Sequence, residues 1–255
     1  MDLELTRVDE CALITIRRPQ ALNALSFAIV REFSGLFDEV AASDARALLI
    51  TGEGDKAFSA GADVKELVGR DLVAQRQGTQ QGQATFAKLD RLPMPSVAII
   101  NGYAFGGGLE LALACTFRLG TANAKLGLPE IKLGLVPGYG GTQRLPRVVG
   151  EARALEMVMT GRTVDAEEAL RIGLVNRLIE GDPLEAGKAF AREFTGYGLP
   201  VLRFAREAVS RALDNPIQEG LKIEADLSTL SFQTEDAVEG MSAFIEKRKA
   251  AFKDK

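Results

Sequence analysis

The chain has 255 residues, 46% of them hydrophobic, which is long enough to bury one large core. A formal net charge of -4 provides no positive field to gather phosphate backbones or anionic lipid, so nucleic acid is a poor main partner. There is no histidine, which excludes Ser-His-Asp and Cys-His catalysis and His-based zinc sites and leaves acid-base work to carboxylates, Lys, Tyr or Cys with shifted pKa values.

The first ten residues, "MDLELTRVDE", lack the basic and apolar regions of a signal peptide, and no later run approaches about 18 apolar residues. The reading is a cytoplasmic chain with no membrane span. "CALITIRR" (11–18), "RALLITG" (46–52) and "SVAIING" (96–102) are short apolar runs bounded by Gly, Pro or charge, as buried strands are. Between the first two, Ser26 is placed to cap a helix whose Phe27, Val30, Phe33, Phe37 and Val40 recur at three-to-four spacing. Strand and helix alternate to about residue 180, predicting an α/β core over residues 1–195. Residues 196–255 read as helices, the last through "DAVEGMSAFIEKRKAAF", whose apolar stripes need a partner surface. Cys11 and Cys115, far apart and outside any C-x-x-C spacing, fit reduced core thiols.

Three glycine-containing stretches stand out. In "AFSAGADVKEL" (57–67), Ala60-Gly61-Ala62 interrupts an apolar run just before an acidic helix start at Asp63, which frees backbone N–H groups. In "NGYAFGGGLELALAC" (101–115), a strand meets Gly106, Gly107 and Gly108 and continues as a helix. Its N-terminal N–H groups attract negative charge, and Glu110 falls in the first turn among Leu and Ala. That Glu110 is either a capping-box residue or a functional carboxylate. The spacing is not the G-x-G-x-x-G of a dinucleotide turn. "KLGLPEIKLGLVPGYGGTQRL" (125–145) reads as a shaped loop wall carrying Glu130, a residue type that is most often a solvated acid.

Together with "RRPQALNALS" and "GRTVDAEEALRIGLVNRL", these stretches resemble the crotonase, or enoyl-CoA hydratase/isomerase, superfamily over essentially the whole chain, and most of all its short-chain enoyl-CoA hydratases of fatty-acid β-oxidation. The resemblance implies a spiral of β-β-α units whose C-terminal helices mediate trimers, often paired into hexamers. It further implies a CoA-thioester substrate with no separate cofactor or metal, and a thioester carbonyl held by the N–H groups of Ala62 and Gly107. Glu110 would activate water and Glu130 would deliver a proton to C2. The loop of Ala62, Asp63, Val64 and Lys65 would contact substrate, Tyr139 would shape the acyl pocket, and Lys65 and Lys247 would meet the CoA phosphates. Having both glutamates disfavours a Δ3,Δ2-enoyl-CoA isomerase or another crotonase-fold CoA-thioester activity such as thioester hydrolysis or dehalogenation. An RNA-binding protein on the same scaffold would have to use the basic tail "EKRKAAFKDK". One departure is Thr116, where relatives often carry Asp; a changed local contact is expected there.

Overall fold

The central strands are apolar at most positions because both of their faces are covered. In β2 (Cys11–Ile16), which follows β1 (Leu3–Val8), residues Ala12, Ile14 and Ile16 enter one core while Cys11 and Leu13 enter another. The same alternation runs through β3 (Ala47–Gly52) and β5 (Ser96–Ile100). Between β2 and β3 lies α1 (Phe27–Ala41); Ser26 Oγ accepts from Ile29 N at 3.2 Å, and Val30, Phe33, Phe37 and Val40 are buried as their spacing predicts. The structure is a computed structural model describing residues 2–255.

The remaining strands are β4 (Ala57–Ser59), β6 (Tyr103–Phe105), β7 (Phe117–Thr121), β8 (Lys125–Gly127), β9 (Val164–Asp165) and β10 (Arg177–Ile179). Six strands form one sheet in the order β1-β2-β3-β5-β7-β10, and four form a second in the order β4-β6-β8-β9. Each of the successive pairs β3–β4, β5–β6 and β7–β8 places one strand in each sheet before the chain turns into a helix: α2 (Leu72–Ala87), α3 (Gly107–Ala114) and, after a 3-10 turn, α4 (Gly141–Val149). This is the expected spiral of β-β-α units. The larger core fills the space between the two sheets and α1 and α3, while α7 (Pro183–Ala191) covers the other face with Phe190 and Ala191. Cys11 and Cys115 are buried free thiols, and burial pushes them to about 11 and about 12, which makes them inert.

Beyond α5 (Glu151–Thr160) and α6 (Ala166–Arg171), the chain closes with α8 (Leu199–Arg211), α9 (Ile217–Ser231) and α10 (Glu235–Glu246). The last helix is shorter than expected. Lys247 turns left-handed at φ 54°, and Arg248 N returns to Ala243 O at 3.0 Å, closing the helix as a glycine would. The tail then folds back: buried Asp236 accepts the N–H groups of Lys253 and Asp254 at 2.6 and 2.8 Å. The acidic start at Asp63 is likewise only a single 3-10 turn, Val64–Glu66, with Asp63 capping Lys65 N. Thr116 exchanges bonds with Ser96, accepting from its N–H at 3.1 Å and donating to its Oγ at 3.0 Å.

Candidate active site

β4, β6 and β8 are parallel neighbours, and the chain leaving their carboxyl ends carries, in turn, Ala62, Gly107 and Glu130. The crevice outside such strand ends is where an α/β sheet accepts ligands. Three stretches far apart in sequence thereby line one cavity of about 320 Å³, with Glu110 and Tyr139 in the same wall and Val64, Leu135 and Val136 supplying apolar surface.

Glycine is required where these loops meet. Gly106 takes φ 50° at the turn into α3, and a β-carbon there would lie 2.8 Å from Glu130 Oε1. On Gly108, a β-carbon would come within 2.2 Å of Ser59 O, so only glycine lets α3 lie against the end of β4. Gly107 begins α3, where N–H groups have no intrahelical acceptor. The β-carbon position of Gly107 is 3.5 Å from Ala62 N, so the two amides are close neighbours. Neither N–H is bonded to another group among the described residues.

Glu110, one turn into α3, is only 2% exposed, and its Oε1 accepts from Tyr139 N and Gly141 N, each at 2.7 Å. Burial raises its pKa to about 7, assisted by the charge of Glu130 and opposed by the N–H donors. Glu130 sits in the 3-10 turn Pro129–Leu133; burial raises its pKa also, and its Oε2 is buried with no partner among the described residues. Tyr139 packs edge-on against Phe86 with ring centroids 5.6 Å apart. The apposition of Glu110 to the backbone of 139–141 escaped sequence reasoning, since an N–H group has no residue identity to read. The glycine density of "GYGG" was its only trace.

The structure brings together Glu110, Glu130, Ala62, Gly107, Val64 and Tyr139. Asp63 turns away to pair with Arg18 at 3.2 Å, and Lys65 is exposed beside the cavity wall. Lys247 is exposed at the end of α10 and does not line the cavity. A larger cleft of about 400 Å³ lies between α8 and α10, but its one carboxylate, Asp236, is occupied in holding the tail, so the smaller cavity is the one equipped for proton transfer. Among the described residues, no group of three or more Cys, Asp or Glu side chains is disposed to hold a metal ion, and no helix is long and apolar enough to cross a membrane.

The family model for enoyl-CoA hydratase/isomerase matches residues 7–255. The chain belongs to that family. It is 44% identical over 242 residues to a probable enoyl-CoA hydratase of Rhizobium meliloti, covering 94% of this chain and 93% of the relative. It is 40% identical over 250 residues to a crotonyl-CoA hydratase of Syntrophomonas wolfei, covering 97% and 96%. A crystal structure of an enoyl-CoA hydratase from Bacillus anthracis superposes with a TM-score of 0.95 at 35% identity, covering 100% of both chains. The enoyl-CoA hydratase/isomerase fold is therefore present over its whole length.

Proposed function

We propose that the protein hydrates 2-enoyl-CoA thioesters to 3-hydroxyacyl-CoA. The observation that carries this reading is the convergence of two carboxylates and two free N–H groups on one cavity. The N–H groups of Ala62 and Gly107 donate to the thioester carbonyl oxygen as charge develops on it. Each such donor is worth about 3 kcal/mol of barrier in comparable sites. Water adds through its oxygen to C3, one of its protons passes to Glu110, and a proton from Glu130 reaches C2. The product gains one molecule of water, and no redox cofactor takes part. Backbone donation to Glu110 supports its ionised form, whereas the unpartnered, buried Oε2 of Glu130 favours keeping a proton to give. An isomerase needs only one of these carboxylates, which is why hydration is preferred.

The substrate arrives as a soluble CoA ester in the cytoplasm, and its acyl part occupies the wall formed by Val64, Leu135, Val136 and Tyr139. A cavity of about 320 Å³ lies at the small end of ligand sites, which suits short chains. Loss of the conjugated enoyl absorbance across a series of chain lengths tests the reading. No loss with any length, alongside movement of a 3,4 double bond to 2,3, would replace it with the isomerase.

A further inference from the structure

We infer that Arg18, which lies outside the cavity, is a positioning residue that sets the direction of the Ala62 N–H. The inference rests on the carbonyl-holding role proposed above for that N–H. Ala62 forms an isolated parallel bridge with Leu25, and all of the bridge's hydrogen bonds go through Leu25. Leu25 N donates to Gly61 O at 2.7 Å, and Leu25 O accepts from Asp63 N at 2.9 Å. Successive peptide groups of an extended strand point to opposite edges, so this register turns the Ala62 N–H away from Leu25 and toward the start of α3. A slip of one residue would turn it back. The direction of the donor is thus decided by the register of these two segments, which Ala60 N also marks by donating to Leu22 O at 2.9 Å.

That register has little regular structure to hold it. Residues 22–25 belong to no strand, and Leu22 and Asn23 take the left-handed conformation at φ 51° and 56°. Buried Asn23 anchors the segment from one side, donating to Ala57 O at 2.7 Å and accepting from Arg18 N at 3.0 Å. Arg18 ties the two bridged segments to each other. Its Nη1 donates to Ala24 O at 2.9 Å on one, and its Nη2 donates to Asp63 Oδ2 at 3.2 Å on the other. The Arg18 and Asp63 side chains are only 19% and 20% exposed, so water screens the pair weakly. A planar fork reaches both acceptors at once; the single ammonium of lysine does not.

The test uses Arg18→Met and Arg18→Lys, with Asp63→Asn as a second route should the Arg18 variants fail to fold. Each is titrated with an aryl-conjugated enoyl-CoA whose absorbance moves to longer wavelength when its carbonyl oxygen accepts hydrogen bonds. The wild type is expected to give that red shift. Arg18→Met should give a smaller shift and a kcat lower by about tenfold, with KM within about twofold, less than the loss from deleting a donor outright. Arg18→Lys should restore neither, Asp63→Asn should change both in the same direction, and added methylguanidinium should recover part of the Arg18→Met rate. A full red shift and full kcat in Arg18→Met or Asp63→Asn overturns the inference alone. No red shift in the wild type overturns the carbonyl-holding role, and the inference with it.

Discussion

Glu110 and Glu130 share one cavity but are held by opposite means: two backbone N–H groups converge on Glu110 Oε1 at 2.7 Å, while Glu130 Oε2 is buried without a partner among the described residues. Glutamine keeps the shape of either side chain but cannot exchange a proton. Glu110→Gln and Glu130→Gln should each lower hydration kcat by about 100-fold or more. The double variant should lose far less than the product of the two, because either loss stalls the same addition. A near-normal rate in either single variant, measured with a short enoyl-CoA, would end the two-glutamate mechanism.

Titration of the pair should be visible near neutrality. Glu110 must be ionised to take a proton and Glu130 must hold one, so kcat should pass through a maximum with pH whose limbs belong to the pair, one of them near the value of about 7 to which burial raises Glu110. Stability should show the same group. Folded Glu110 stays protonated up to about 7 whereas its ordinary value is 4.5, so over that window the folded state binds the extra proton and stability declines as pH rises. Between about pH 5 and about pH 8, the Tm of the wild type should fall relative to that of Glu110→Gln. Parallel Tm profiles would refute the burial-driven shift.

Two glycines should fail in different ways. On Gly141, a β-carbon would lie 2.9 Å from Leu128 Cδ1 and 3.0 Å from Glu110 Cγ and Oε1, side-chain atoms that can shift, so Gly141→Ala should displace the carboxylate and lower kcat by about tenfold or more with a smaller loss of Tm than Gly108→Ala. On Gly108, the clash is with the backbone oxygen of Ser59, which cannot yield, and Gly108→Ala should cost about 3 kcal/mol or more of stability. Thermal melts set beside single-turnover rates distinguish the two.

Much of this was legible beforehand, and the gaps have physical causes. The apolar runs of β2, β3 and β5 and the capped, periodic α1 are local signals, and local signals can be read. The second sheet is built on strands of two or three residues, too short for periodicity, so the meeting of 57–67, 101–115 and 125–145 came from the family resemblance and not from pattern. The end of α10 at Lys247 was missed because a lysine with positive φ leaves no mark in the sequence.

The exposed apolar residues of the C-terminal helices, among them Val209, Leu221, Phe244 and Ile245, find no cover among the described residues. We expect a trimer, or a dimer of trimers, by light scattering at micromolar protein. A monomeric mass would contradict it.

Lys65, exposed beside the cavity and without a salt-bridge partner among the described residues, should meet CoA phosphate. Lys65→Ala is expected to raise KM severalfold with kcat nearly unchanged, as loss of uniform binding does. An unaltered KM would remove the assignment.

The placement of Ala62, Gly107 and Glu130 on the ends of three neighbouring strands also makes the site divisible. Adjacent strands lie about 4.8 Å apart, so the ladder itself spaces the three loops. The proposed grip on a thioester belongs to the loops after β4 and β6, whereas Glu130 belongs to the loop after β8. Exchanging Glu130 while keeping Leu135, Val136 and Tyr139, which line the cavity further along the same loop, would therefore change the proton chemistry without rebuilding the acyl wall, which makes this chain a scaffold for grafting new thioester reactions.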